Sequence, residues 1–232
     1  MKTINVWDLP TRAFHWTLAG SIILALIIIG DEGVIYSIHA LCGIVALVLV
    51  LFRLVWGFVG GEHARFTAFV AGWTAVRQYS LQLLRLAPPA HIGHNPLGGW
   101  AVFILLGLSF VAAGTGVLSG GFAGNAMAKA ALGIHEGAGS LLQFMVFIHV
   151  AGVLVDWVLT RDNIVAAMWH GRKRIEETRE AVDARGGHVW LAVIIAAPLV
   201  AFGGYVVSQI DLTSAPGASS SESQTENGAK TE

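Results

Sequence analysis

The chain has 232 residues, of which 55% are apolar and only 12% are Asp, Glu, Lys or Arg, against roughly 25% charged residues in an average soluble domain. Mean hydropathy is +0.66, and 14 Lys plus Arg stand against 15 Asp plus Glu, so nothing in the balance points toward nucleic acid. The composition excludes a soluble enzyme, a nucleic-acid binder and a disordered chain, and it is that of a membrane protein. The one cysteine, Cys42, lies inside an apolar run, which leaves no disulfide and no CxxC or CxxCH motif.

In chain order, five segments approach the about 20 apolar residues needed to cross roughly 30 Å of hydrocarbon: residues 14–30, 34–58, 97–118, 133–159 and 189–210. The first ends at Gly30-Asp31-Glu32, with no A-x-A-like cleavage site, so it is expected to be retained. The third has a start signal, Asn95 as cap and Pro96 in the first turn. Residues 66–86 place Phe66, Phe69, Val70, Trp73, Val76, Leu83 and Leu84 at roughly helical spacing, with Arg77, Gln78, Gln82 and Arg85 between them. That pattern predicts a helix lying on the membrane surface. With the N-terminus inside, twelve of the fourteen Lys and Arg residues fall on inner segments and only Lys129 and Lys230 lie outside, which predicts an N-in, C-out topology. The tail beyond Ile210 has no apolar pattern and is expected to be disordered. The expected division is therefore a helical domain over 1–187 with its inner loops, a fifth transmembrane helix over 188–210, and an outer tail over 211–232.

Four of the nine histidines, His15, His39, His135 and His149, fall inside the expected spans. Ionisable residues at membrane depth are costly, so each is a functional candidate. The alternating direction of the helices puts His15 and His149 toward the inner face and His39 and His135 toward the outer. His135 and His149 are fourteen residues apart, about 21 Å and close to four turns, so both leave one helix on nearly one face. Two histidines at one depth on facing helices can supply both axial ligands of an iron. The pattern reads as two stacked bis-His haems, His39 with His135 and His15 with His149, held without covalent attachment. Zinc or copper asks for three or four convergent ligands of mixed type, which neither level offers. A proton relay would call for intramembrane carboxylates, and only Glu136 and Asp156 lie near span ends.

Gly43, Gly139 and Gly152 follow His39, His135 and His149 by three or four residues, and Gly107 and Gly114 lie on the third span. Small residues here serve either the face of a flat macrocycle or the close packing of membrane helices. Arg12 and Arg53 at the inner edge serve either as partners of haem propionates or as anchors of the positive-inside rule. His63, His91, His94, His170 and His188 read as solvated loop histidines, with His91-x-x-His94 a weak metal pair. Asp8, Arg12, Trp16 and His94 are placed to border a quinone pocket.

Val6-Trp7-Asp8, Thr11-Arg12-Ala13-Phe14-His15-Trp16, His39, Arg53 with Trp56-Gly57-Phe58, Ala64-Arg65-Phe66, Gly93-His94-Asn95-Pro96-Leu97-Gly98, His135 and His149 together resemble bacterial cytochrome b561-type proteins and the cytochrome b subunits of nickel-iron hydrogenases. The resemblance covers residues 5 to 175. It implies an all-α integral membrane protein of the bacterial inner membrane, a four-helix haem-binding bundle to which this chain adds a fifth helix. It also implies two b-type haems on the same four histidines, and electron transfer between the quinone pool and a periplasmic partner such as a c-type cytochrome or a hydrogenase-like enzyme. On this reading the chain is an electron-transfer subunit of an oxidoreductase system rather than a stand-alone enzyme. One competing expectation is a superoxide oxidase that reduces quinone. Lys129 set against Asp31, Glu32, Glu136 and an acidic tail argues against a funnel for a small anion. Another is a non-redox membrane protein with buried structural histidines, which leaves the paired depths unexplained.

Overall fold

The computed structural model describes residues 2–30, 32–122, 125–175, 183–210 and 212. A short strand β1 (Lys2–Asn5) leads into α1 (Leu9–Ile27) and α2 (Gly33–Val59), followed by a single 3-10 turn at Phe66–Ala68 and α3 (Trp73–Leu84). Next come α4 (Pro96–Val117), which ends in a π-turn over Leu118–Phe122, and the 36-residue α5 (Asn125–Thr160). The short α6 (Ile164–His170), strand β2 (Arg172–Ile175) and α7 (Val189–Gln209) complete the order.

Among the described residues, four helical stretches are long and apolar enough to cross a membrane: Gly33–Val59, Pro96–Gly121, Ala126–Thr160 and Val189–Gln209. The fifth expected segment, α1, is helical over 19 residues, about 28 Å at 1.5 Å per residue. Thr11, Arg12 and His15 in its first turns interrupt its apolar run, and it is not among those four stretches. α5 begins eight residues before the expected start, because Ala126 to Leu132 are almost all strong helix formers although they are less apolar than the stretch from Leu141 onward. Over 66–86 the helix is shorter than expected, since Gly72 takes up extended backbone (φ −68°, ψ 160°) immediately ahead of Trp73. The tail, of which only Leu212 is described, otherwise lies outside the described residues, as does Asp31.

Helix ends follow the local chemistry. Asp8 Oδ1 accepts from Thr11 N at 2.9 Å at the head of α1, and Asn95 Oδ1 accepts from Gly98 N at 2.7 Å at the head of α4, where the start signal stands. Gly171 stops α6 in the left-handed region at φ 78°, where its amide donates to Ala167 O. A Cβ there would meet Trp7 O at 2.8 Å and Arg12 Nε at 3.0 Å, so glycine is needed for both shape and space.

The chain divides into two compact units. The first comprises Met1–Thr17, Leu51–Gly107 and Gln143–Pro198. In it β1 and β2 pair antiparallel, Lys2 opposite Ile175 through Asn5 opposite Arg172, over a small core of Ile4, Val6 and Ile175 flanked by Trp7 and Ile92. This sheet has no counterpart in the sequence reading. Lys173 of β2 is buried, ion-paired to Asp162 at 2.6 Å, and donates to the carbonyl of His91. Trp56, fully buried, stacks on Phe52 at 5.7 Å and donates to Thr11 Oγ1 at 3.2 Å. The second unit comprises Leu18–Val50, Leu108–Leu142 and Leu199–Glu232. Its buried residues include Val50 and Val206 with Ala46, Ala112, Ala113, Ala131 and Ala138, small side chains of the kind that let membrane helices approach closely. Large apolar side chains such as Phe58, Phe147, Val158 and Val200 face outward, the inverse of a water-soluble core and the arrangement a lipid solvent favours.

Candidate functional site

The four span histidines divide evenly, His39 and His135 in the second unit and His15 and His149 in the first. The rings of His39 and His135 lie 5.8 Å apart between centroids and are inclined by 83°. His39 Nδ1 donates to Ala25 O at 2.9 Å and lies 3.2 Å from Ile28 O. Ala25 belongs to the last turn of α1, where carbonyls lack intrahelical partners, so the ring also caps that helix. His135 Nδ1 donates to Ala112 O at 2.8 Å. A Cβ on Gly116 would stand 3.0 Å from that Nδ1, so the missing side chain admits the imidazole against α4. A carbonyl can only accept, which places the proton of each ring on Nδ1 and leaves the Nε2 lone pair free to bind a metal.

The glycines beside these residues open space. A Cβ built on Gly43, Gly107, Gly114, Gly139 or Gly152 meets no atom within 4 Å. Gly43, Gly114 and Gly139 belong to the second unit and are nevertheless half-buried. Open space beside a partly covered backbone is what a flat ring requires and what close helix packing would have filled. Two ligating nitrogens in one unit, with a cradle that side chains do not occupy, fit a bis-His haem. Among the described residues there is no group of three or more His, Cys, Asp or Glu able to hold a bare metal ion.

In the first unit, His15 Nδ1 is buried and has no hydrogen-bond partner, and its ring meets Trp16 edge-on at 5.0 Å. The arginines are not simple surface anchors. Arg53 is 3% exposed and donates from Nη2 to Ala64 O at 2.8 Å, and its Cζ lies 5.0 Å from the centre of the Phe66 ring. Its Nη1 is buried and unpartnered, and so is Nε of Arg12, whose Nη1 donates to Trp169 O at 2.7 Å. Buried guanidinium N–H groups without acceptors fit an anionic group carried by a ligand.

Three of the loop histidines depart from the solvated reading. His94 sits between Trp7, at 4.9 Å, and Phe69, at 4.5 Å, with Nδ1 buried and unpartnered. Burial first, then the positive charges of Arg53, His63, His149 and His15, push its pKa down to about 3. His63 is half-buried beside Trp7, and burial also lowers its pKa. His91 is half-buried against Tyr79, with Nδ1 donating to Pro89 O. The α4 cap holds its loop on both sides, and β2, through Lys173, fastens it to the small sheet. His170 and His188 are exposed or half-exposed, as expected of loop positions.

Of the four residues placed beside a quinone, Asp8 lines the cavity described below. Asp8 is occupied, accepting from the amides of Thr11, Gly61 and Gly187, and Trp16 leans on Trp169. A cavity of about 290 Å³ in the first unit is lined by Trp7, Asp8, His63 and Arg185 among others, and not by Arg12, Trp16 or His94. Sequence reasoning also missed a polar clamp near the C-terminal end of α5. There Asp156 Oδ1 accepts from Tyr79 OH at 2.7 Å and Asn95 Nδ2 at 3.0 Å. Burial and the carboxylate raise the phenol's pKa.

Comparison with known proteins agrees with this chemistry. The family description prokaryotic cytochrome b561 matches residues 6–171. A probable Ni/Fe-hydrogenase B-type cytochrome subunit of Rhizobium leguminosarum bv. viciae is 25% identical over 223 residues, covering 77% of this chain and 92% of the relative. The probable subunit of Azotobacter vinelandii is 26% identical, covering 76% and 90%. That of Escherichia coli K12, a probable Ni/Fe-hydrogenase 1 B-type cytochrome subunit, is 27% identical over 124 residues, covering 42% and 52%. No solved structure matches the chain. The chain belongs to the prokaryotic cytochrome b561 family and is a multi-pass membrane cytochrome of the b type, a haem protein of electron transport.

Proposed function

We propose that the chain carries electrons across the bacterial inner membrane on two b haems, one held by His39 and His135 and the other by His15 and His149. The carrying observation is the pair in the second unit. Both rings have Nδ1 committed to a backbone carbonyl, at 2.9 and 2.8 Å, and lie 5.8 Å apart beside half-buried glycines with open space. Such ties fix each ring's tautomer and orientation ahead of binding and raise its basicity as a ligand. When bound, haem supplies an iron that cycles between ferric and ferrous, one electron at a time. The protein's own contribution is to hold the rings, exclude water and tune potential through the groups around each site.

The sidedness proposed is a cytoplasmic N-terminus and a periplasmic C-terminus, with α1 as a fifth crossing. It is supported by the twelve cationic residues of the inner segments. The names of the relatives support a hydrogenase-like periplasmic donor, and a c-type cytochrome is the alternative docking partner. Quinone in the membrane is the proposed acceptor on the inner side. Arg12 and Arg53 stand ready for propionates, each with a buried N–H lacking an acceptor.

The test is transmembrane transfer in sealed vesicles containing the full chain. With an impermeant reductant outside and quinone in the membrane, wild type reduces the quinone, while His135→Ala and His149→Ala each abolish transfer. Undiminished transfer in either variant overturns the two-centre path.

A further inference from the structure

Two buried side-chain nitrogens in the first unit stand without hydrogen-bond partners beside one aromatic ring. Arg53 Nη1 and His94 Nδ1 are both unpartnered. The Phe69 ring lies 5.9 Å from Arg53 Cζ, and its centroid is 4.5 Å from that of His94. Arg53 is 3% exposed and His94 half-buried. Arg53 is held by Ala64 O through Nη2 and by the rings of Phe14 and Phe66, and His94 is closed on its other side by Trp7. Leaving a buried polar nitrogen without a partner is costly, and more so for a charged group. Asp8, an acid of the same unit, does not answer them, since its oxygens accept from three backbone amides.

We propose that Arg53 and His94 form a clamp for one carboxylate, the propionate of the haem held by His15 and His149. This rests on the dihaem reading and adds to it a residue, His94, and a point of attachment. A guanidinium with an unpartnered Nη1 amino group and a neutral imidazole protonated on Nδ1 match the two oxygens of a carboxylate. The aromatic walls keep the site dry, which strengthens both bonds. His15, His149 and both clamp residues belong to the first unit, and the charges of His15 and His149 are among the causes that lower the His94 pKa. Both clamp residues are positioning residues, acting on the iron through the propionate.

The experiment loads the full-length haem-free protein with protohaem or its dimethyl ester, which lacks the free carboxylates. It reads haem affinity and the midpoint potential of the site that His149→Ala removes. For wild type, the ester binds that site about tenfold more weakly, equivalent to roughly 1.4 kcal/mol. Arg53→Gln and His94→Leu weaken protohaem by a similar factor and lower its potential, because the carboxylate's negative charge is then less compensated. The ester causes little further loss in either variant, and His94→Gln, which keeps an N–H, restores part of the affinity. Additive losses, or equal binding of protohaem and ester by wild type, overturn the clamp. So does a variant that leaves this haem unchanged and raises only the KM for quinone, which assigns the donors to it. Should His94→Leu fail to fold, wild type with the ester and His94→Gln still decide. Absence of haem from the histidine sites of wild type is the separate failure of the underlying reading.

Discussion

The two units solve the same problem, holding a histidine pair, by different means. In the second unit the protein satisfies its own ligands: both Nδ1 atoms have carbonyl partners, and the surroundings are alanine, valine and open glycine faces. In the first unit His15 Nδ1, His94 Nδ1, Arg12 Nε and Arg53 Nη1 are all buried without partners. All eight tryptophans lie in that unit, a residue type enriched where membrane proteins meet the headgroup region. On the proposed reading, one site is completed by backbone and the other by the haem it would bind. Since buried polar groups are nearly always satisfied, that haem would supply the partners these atoms lack.

The largest effect that sharpens this comparison is loss of one haem in two. His135→Ala should remove only the haem of the second unit and His149→Ala only that of the first, as read by haem content of purified protein. Next come the glycines. Gly43→Leu or Gly139→Leu should lower haem content by about half while folded yield holds, because a Cβ at either position meets no protein atom within 4 Å. Gly43→Ala should be nearly silent, and a Leu variant that retains both haems breaks the cradle assignment.

Smaller effects belong to stability in the first unit. Tyr79→Phe removes a bond to Asp156 from a buried phenol and should cost about 1 kcal/mol, seen in thermal melts in detergent with haem content unchanged. The pH dependence has a definite sign. His94 titrates at about 3 in the folded chain against 6.5 for the free side chain, so the unfolded chain binds the extra proton first. Stability of the haem-free protein is therefore full above about 6.5 and falls as pH drops from there toward 3, and His94→Gln should flatten that slope.

The sequence exposed the features that depend on chain-local pattern: the apolar spans, the cap at Asn95, the four histidines and their division into pairs, since depth follows from position along a helix. It hid the features that depend on long-range pairing. Strands β1 and β2 are four residues each and pair across nearly the whole helical domain, Lys2 with Ile175, and neither is distinguishable from loop by periodicity. His94 read as solvated because it lies outside any span, yet it is the residue before the Asn95-Pro96 helix start, and that cap draws it in beneath Trp7 and Phe69. Asp156 read as a charge near a span end, whereas Tyr79 of α3 and Asn95 hold it from another part of the chain. Arg53 fits the positive-inside pattern, and only its burial distinguishes it from an anchor.

The most direct measurement is the haem-to-chain ratio of the purified protein, taken with reduced-minus-oxidised and low-temperature EPR spectra. The account predicts two b haems per chain, both low-spin with two histidine ligands, resolved as two signals because their surroundings differ. One haem per chain, or a centre with a single axial histidine, would contradict it.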